Sequence, residues 1–327
     1  MKNNPRIVFF GTPEFAVISL ERLIDSGYRV VAVVTAPDKP SGRGLQEKAS
    51  AVKEYAQLKS IPALQPVNMK DPAFLDQLSQ FQPDLQIVIA FRMMPRQIWS
   101  LPPLGTFNLH ASLLPQYKGA APINRAIING ETETGVTTFF LNEQIDSGQI
   151  ILSERVSIGP EETAGELHDR LMVIGAELVI RTVEKIISGG LKEHSKEEEE
   201  EASGNDPAAL KPAPKIFRED CQIDWSQPVE VVHDLIRGLS PYPGAFTYLK
   251  MADGTQQILK ILRSTVERVA TGVKPGKFIT DGKKYIKIAT ADGYIHVGEL
   301  QLSGRKAMNS VDFLRGARGI IPETLAI

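Results

Sequence analysis

An amide and an imidazole stand two positions apart in the first half of the chain, at Asn108 and His110. If residues 106–110 form a strand, both side chains point to the same face. An amide can donate a hydrogen bond to an oxygen that becomes negative during acyl transfer, and an imidazole can exchange protons near neutral pH. Asp146, in Ile-Asp-Ser-Gly, is a candidate acid to orient the imidazole. These residue types predict a site for acyl transfer.

A structural interpretation of the same residues stays open at this point. A histidine on a strand is often satisfied within the fold, and an aspartate before Ser-Gly often belongs to a turn. No Gly-x-Ser-x-Gly elbow surrounds Ser112, so a serine nucleophile is not expected. The five histidines are scattered without metal-ligand spacing, so we expect no metal.

The elements that must position these residues follow from short apolar runs. Residues 6–10, 30–35 and 85–90 are apolar at consecutive positions, which is typical of parallel strands buried on both faces. Thr12 is expected to cap the first helix, with Pro13 at its first position and Gly27 at its end. The repeated strand–helix–strand pattern predicts an α/β fold with a Rossmann-like open sheet.

A long helix and an acidic segment close this first part. The helix is expected from Thr163 to about residue 187, because Thr163 and Glu166 form a capping box before an apolar stripe. Five consecutive glutamates, Glu197–Glu201, repel one another and bury little apolar surface, which indicates an exposed linker. We therefore predict a catalytic domain at 1–189, an acidic linker at 190–215 and a second domain at 216–327.

The last part of the chain has a different pattern. A helix is expected at 228–238, followed by short β-like runs at 245–250, 257–262, 285–289 and 294–302. Asp-Gly pairs separate several of these runs, as turns do. The pattern predicts a smaller β-barrel, OB-like domain, a fold that often binds nucleic acid. Residues 216–327 hold 15 basic and 12 acidic residues, a net of +3, in a chain of formal net charge −2.

Composition limits the class of protein. Cys221 is the single cysteine, which excludes an internal disulfide and fits a reducing compartment. No stretch approaches the roughly 20 apolar residues of a membrane helix, and the start of the chain lacks a signal-peptide pattern. We expect a soluble, cytoplasmic monomer.

Three stretches carry a family resemblance. They are Asn-Leu-His-Ala-Ser-Leu-Leu-Pro at 108–115, Lys-Gly-Ala-Ala-Pro at 118–122 and Asp-Ser-Gly at 146–148. Their order and spacing resemble the core of the folate-dependent formyltransferases. The resemblance implies a catalytic trio of Asn108, His110 and Asp146, with 10-formyltetrahydrofolate as formyl donor. It implies folate contacts from the following residues: Ser112, Leu113, Leu114, Pro115, Phe91 and Met93.

Further stretches resemble those family members that act on methionyl-tRNA. They are Phe-Phe-Gly-Thr-Pro-Glu-Phe-Ala at 9–16, Pro-Asp-Lys-Pro-Ser-Gly-Arg-Gly at 37–44, Ile-Asp-Trp at 223–225 and Gly-Arg-Lys-Ala-Met at 304–308. The resemblance implies initiator methionyl-tRNA as acceptor and N-formylmethionyl-tRNA, used in translation initiation, as product. It implies tRNA contacts from Arg43, Arg305 and Lys306.

Two departures and three alternatives accompany the resemblance. The loop after Gly44 is less basic than the family pattern, and Arg92 stands where the family tends to have glycine, beside the expected folate pocket. The same trio would also suit formyl transfer to an amino-sugar nucleotide or hydrolysis of formylfolate. A protein that binds RNA without catalysis is the alternative from another class.

Overall fold

A computed structural model of the chain describes residues 4–41, 46–143, 146–189, 210–250, 255–270 and 272–316, with the backbone alone at 40, 41, 46, 47 and 250. The chain divides into two compact units. Unit 1 holds Met1–Gly119, Gly135–Val156 and His168–Pro212, and unit 2 holds Ala120–Thr134, Ser157–Leu167 and Ala213–Ile327. The domain boundaries inferred from the sequence remain predictions. No helix among the described residues is both long enough and apolar enough to span a membrane.

The first half of the chain alternates strands and helices. The strands are β1 (Arg6–Gly11), β2 (Arg29–Val34), β3 (Lys39–Ser41), β4 (Gln46–Lys48), β5 (Ala63–Leu64), β6 (Leu85–Ile89), β7 (Thr106–His110), β8 (Glu133–Phe140) and β9 (Ile150–Ser157). The helices are α1 (Glu14–Asp25), α2 (Ala51–Leu58), α3 (Pro72–Gln80), α4 (Arg96–Trp99), α5 (Pro122–Ile128) and α6 (Ala164–Ile187). The strands expected from the apolar runs and at 106–110 are therefore all present.

Seven of these strands form one sheet, in the order β5-β2-β1-β6-β7-β8-β9. β1 is parallel to β2 and β6, and β6 is parallel to β7, whereas β8 runs antiparallel to β7. β6 is buried along its whole length, as expected of a strand covered on both faces. The sheet places β7, which carries Asn108 and His110, between two hydrogen-bonded neighbours.

The first helix begins one residue later than expected. Pro13 occupies the N-cap position of α1, with an extended backbone and no side-chain hydrogen bond, and its carbonyl accepts from the Ala16 amide. The prediction that Thr12 caps this helix is wrong. Proline already has the extended conformation that a cap requires, so the cap moves to Pro13. Gly27 follows the end of α1 at φ +80°, as expected.

The capping box of α6 is confirmed. The Glu166 carboxylate accepts from the Thr163 amide at 2.9 Å, and the Glu166 amide donates to the Thr163 hydroxyl at 3.3 Å. Within unit 2 the same carboxylate forms a salt bridge with Arg263. This bond to Arg263, followed by the Thr163 amide, lowers the pKa of Glu166 to about 2.

The later elements are α7 (Val229–Leu239), β10 (Ala245–Lys250), β11 (Gln256–Glu267), β12 (Phe278–Thr280), β13 (Ile286–Ala289), β14 (Tyr294–Leu302), β15 (Met308–Asn309) and α8 (Ser310–Gly316). The strands form an antiparallel sheet in the order β10-β11-β14-β13-β12, and β15 pairs with β14. The predicted fold class, a Rossmann-like sheet followed by a smaller OB-like β domain, is confirmed. β12 and β15 have three and two residues, too few for alternation to predict them.

Candidate active site at the end of an interior strand

The amide and the imidazole lie on one face of β7. Asn108 pairs with Val88 of β6 and Phe139 of β8, so its backbone is fixed from both sides. The Asn108 Oδ1 atom is buried and has no hydrogen-bond partner within the described part of the chain. A buried acceptor without a partner is uncommon in folded proteins, which marks Asn108 as a candidate functional residue.

His110 is held by a backbone carbonyl. Its ring is 7% exposed, and its Nε2 atom lies 2.9 Å from the carbonyl oxygen of Tyr117. Because a carbonyl oxygen only accepts, Nε2 carries the hydrogen in this contact. The other nitrogen, Nδ1, faces Asp146 Oδ2 at 3.9 Å. The tautomer is thus set by Tyr117, a partner that the sequence did not indicate.

Asp146 reaches the imidazole from the connection between β8 and β9. β8 ends at Phe140, which pairs with Phe107, whereas His110 pairs with Thr137. The end of β8 therefore lies three residues along β7 from His110. Three strand residues span about 10 Å, and the connection must run back over that distance. Asp146 has φ +48°, and its Oδ2 atom accepts from the Gly119 amide at 3.1 Å. The Gly119 amide therefore holds the carboxylate beside the ring, at a distance too long for a hydrogen bond to Nδ1.

Further contacts tie this connection to the rest of unit 1. Lys118 Nζ donates to the Ser147 hydroxyl at 2.7 Å, and Asn142 Nδ2 donates to the Ser147 carbonyl at 3.0 Å. At Gly148, an added Cβ would lie 1.5 Å from the Phe140 carbonyl oxygen, a distance that no side chain tolerates. The Asp-Ser-Gly pattern thus has a packing reason as well as a chemical one.

The Ser-Leu-Leu-Pro turn is shaped by buried hydroxyls. Ser112 is fully buried, and its hydroxyl donates to the Gln116 carbonyl at 2.7 Å. The Thr137 hydroxyl, also fully buried, donates to the Ser112 carbonyl at 2.7 Å and accepts from the Leu114 amide at 3.2 Å. Leu113, Leu114 and Pro115 are half-buried. Ser112 therefore supports the turn from inside, while the three apolar residues are available for contact.

The residues after β6 add a second apolar surface. Because β6 and β7 are parallel, the segments that follow them lie at the same edge of the sheet. Phe91 is half-buried against Phe10, with ring centroids 5.6 Å apart, and Met93 is 73% exposed. Arg92 turns away toward the segment after β5, where it donates to the carbonyls of Pro66 and Val67, the latter at 3.1 Å. The arginine that replaces the family glycine is thus bonded to that neighbouring segment.

The residues expected to contact tRNA belong to other parts of the chain. Arg305 and Lys306 are exposed in the turn between β14 and β15 of unit 2. Arg43 lies outside the described residues, between β3 and β4. At the start of that hairpin, Asp38 accepts from Lys53 and from Gln65, and these hydrogen bonds lower the pKa of the Asp38 carboxyl. Nowhere in the described residues do three or more His, Cys, Asp or Glu side chains cluster as metal ligands do.

Comparisons with known proteins find matches along both parts of the chain. The formyl transferase family model matches residues 5–183, and the model of the formyl transferase C-terminal domain matches residues 215–318. The chain is 49% identical to the methionyl-tRNA formyltransferase of Bacteroides thetaiotaomicron, over 97% of each chain. It is 52% identical to the protein of the same name from Phocaeicola vulgatus, again over 97% of each.

Two solved structures are similar in fold. One is WlaRD, a sugar 3N-formyl transferase solved in the presence of dTDP and 5-N-formyl-THF, with a TM-score of 0.63 and 19% identity over 92% of this chain and 99% of that one. The other is the N-formyltransferase of Helicobacter canadensis in complex with folinic acid and dTDP-3-aminofucose, with a TM-score of 0.63 and 19% identity over 90% and 98%. At this identity the likeness concerns the fold alone.

Proposed function

This chain belongs to the formyl transferase family, and we propose that it transfers the formyl group of 10-formyltetrahydrofolate to the α-amine of initiator methionyl-tRNA. The product is N-formylmethionyl-tRNA, used in translation initiation. One observation carries the proposal: an interior strand and a returning connection bring an amide, an imidazole and a carboxylate together, with Nδ1 of His110 3.9 Å from Asp146. The likeness to sugar formyltransferases is too distant in sequence to support a second candidate.

The three side chains divide the chemistry between them. The folate supplies the formyl group. Asn108 donates its amide N–H to the formyl oxygen as negative charge develops there. His110 holds its Nε2 hydrogen against Tyr117, so protons are exchanged at Nδ1. Asp146 stabilises positive charge on the ring and helps to take up the proton that the amine loses. A proton passes to the folate nitrogen as its bond to the formyl carbon breaks, and tetrahydrofolate leaves.

The residues after β6 and β7 fit a folate. Half-buried Phe91 and exposed Met93 provide apolar surface beside the site, with Leu113, Leu114 and Pro115 on the next segment. A flat aromatic ligand gains from such surfaces. Ser112 contributes by supporting the turn rather than by touching the ligand.

We assign the contacts with the acceptor, methionyl-tRNA, to unit 2 and to the β3–β4 hairpin. Arg305 and Lys306 are exposed cations in a turn, a suitable arrangement for phosphate contacts, and Arg43 is proposed as a further contact on the hairpin. The three proposed catalytic groups all belong to unit 1 of one chain, so the site needs no residue from a second copy, and we propose a monomer. A tRNA acceptor implies that the enzyme works in the cytoplasm.

A comparison of acceptors tests the proposed function. The purified chain is incubated with 10-formyltetrahydrofolate and methionyl-tRNA, an amino-sugar nucleotide, or no acceptor, and folate consumption is followed. We expect consumption that depends on methionyl-tRNA and yields formylmethionine. Equal consumption without acceptor would make the chain a hydrolase, and consumption with the sugar nucleotide alone would change the substrate class.

A variant of Asp146 tests the site within the same assay. Asp146→Ala removes the carboxylate that lies beside the ring, so we expect formyl transfer to be abolished. Binding of tRNA and the unfolding transition should stay close to those of the wild type. Near-normal turnover by this variant would remove Asp146 from the mechanism.

A further inference from the structure

The loop after the Ser-Leu-Leu-Pro turn contains a strained residue beside the imidazole. Tyr117 is 5% exposed and has φ +57°, a left-handed conformation that residues other than glycine rarely adopt. Such a conformation persists only where the surroundings determine it, and it is frequent at functional sites. The Tyr117 carbonyl is the group that accepts from His110 Nε2. The surroundings of Tyr117 therefore decide where the ring hydrogen points.

Two hydrogen bonds to Lys211 provide these surroundings. The Tyr117 amide donates to the Lys211 carbonyl at 2.7 Å, and the Lys211 amide donates to the side-chain oxygen of Gln116 at 2.9 Å. The Gln116 carbonyl accepts from the buried Ser112 hydroxyl at 2.7 Å. Gln116 thus links three segments: the turn after β7, the strained residue and the chain that enters unit 2. All of these contacts lie within unit 1.

We propose that Gln116 is a positioning residue for His110, acting with the Lys211 backbone to hold the Tyr117 carbonyl that keeps the imidazole in its Nε2–H tautomer. The inference rests on the role proposed above for His110 in catalysis. Without the Gln116 acceptor, Lys211 loses the bond from its amide to the loop, and Tyr117 is freer to leave its left-handed conformation. The ring then exchanges its hydrogen between nitrogens, and fewer molecules present a free Nδ1 to the reactants.

No sequence pattern indicated this role for Gln116. Gln116 follows the Ser-Leu-Leu-Pro turn without being part of it, and Lys211 falls inside the segment expected to be an exposed linker. Lys211 is exposed, as expected of that segment, but its backbone is bonded to the loop, and only Ala213 among residues 211–215 is buried.

The test reads the tautomer directly. The full chain is labelled with ¹⁵N-histidine, and its five imidazoles are followed by long-range ¹H–¹⁵N correlation, with His110→Gln used for assignment. We compare Gln116→Leu, which cannot accept a hydrogen bond, with Gln116→Glu, which retains an acceptor oxygen. One lost hydrogen bond predicts a shift of roughly three- to tenfold in the His110 tautomer ratio for Gln116→Leu and little change for Gln116→Glu.

Kinetics and a matched control complete the experiment. In Gln116→Leu we expect kcat for formyl transfer to fall by roughly the same three- to tenfold factor, with KM for methionyl-tRNA nearly unchanged. Asn4→Leu is the control, because the Asn4 side-chain oxygen likewise accepts a distant backbone amide, that of Arg29, at 3.0 Å. It should leave the His110 signals unchanged. Should Gln116→Leu not fold, Gln116→Ser, polar but too short to reach Lys211, gives the same readout.

The outcomes separate this inference from the proposed function. An unchanged His110 tautomer in the folded Gln116 variants, or an equal change in Asn4→Leu, would overturn the positioning role. A tautomer shift without any formyl transfer by the wild type would support the positioning role and refute the proposed function.

Discussion

Replacement of Asn108 by alanine should separate catalysis from stability. The substitution removes the amide donor aimed at the formyl oxygen, and a lost donor of this kind costs roughly 10²–10³ in rate, or about 3–4 kcal/mol of transition-state stabilisation. The folded state, by contrast, loses no hydrogen bond at Oδ1 within the described residues. Relief of that unsatisfied oxygen offsets the lost packing, so the free energy of unfolding should change by about 1 kcal/mol or less.

The assay is single-turnover formyl transfer to methionyl-tRNA at saturating folate, paired with denaturant unfolding. Asn124→Ala serves as the converse control, expected to affect stability and not catalysis, since the Asn124 side chain donates to the Gly238 carbonyl at 2.8 Å in unit 2. It should lower stability by about 1 kcal/mol and leave the rate of transfer close to normal. A transfer rate for Asn108→Ala within tenfold of the wild type would refute the oxyanion role. A stability loss of several kcal/mol would show that its amide is structural.

Three other predictions concern different parts of the molecule. Gly148→Ala should reduce kcat by roughly 10²-fold or more, because the added Cβ displaces the connection that carries Asp146. The circular dichroism spectrum of this variant should stay native. The control is Gly316→Ala, which has open space around the added Cβ and should leave kcat unchanged. The folded-state pKa of Glu166 is lowered to about 2, so its contribution to stability is complete above pH about 4.5 and is lost toward pH 2. The free energy of unfolding of Glu166→Gln should therefore vary less with pH over that range than that of the wild type. Parallel curves of unfolding free energy against pH for the two proteins would contradict this. Arg305→Ala and Lys306→Ala should each reduce the slope of log affinity for tRNA against log salt by roughly one; an unchanged slope would exclude a phosphate contact.

The sequence predicted the parts of the site that depend on strand geometry. The spacing of Asn108 and His110 was enough to place them on one face of β7, because alternation in a strand is fixed by the backbone. The capping box at Thr163 and Glu166 was equally readable, since both partners are close in sequence. The resemblance to the family then supplied what spacing alone left open.

The remaining features depend on contacts that a sequence does not display. Every residue has a carbonyl, so nothing distinguished that of Tyr117 as the partner of His110. The antiparallel direction of β8, which forces the Asp146 connection to run back, follows from pairing across the sheet and not from the apolar pattern. The sequence likewise does not distinguish Thr137 from other strand threonines, although its hydroxyl bonds to the Ser112 carbonyl and the Leu114 amide.

The position of β7 inside its sheet has a consequence for redesign. Two backbone steps of about 3.3 Å set the separation between Asn108 and His110, and hydrogen bonds to β6 and β8 keep that interval rigid. Exchanging peripheral loops leaves this distance between the two side chains unchanged. A protein engineer who wants a different amine formylated should therefore graft new recognition elements around the sheet and leave the strand itself untouched.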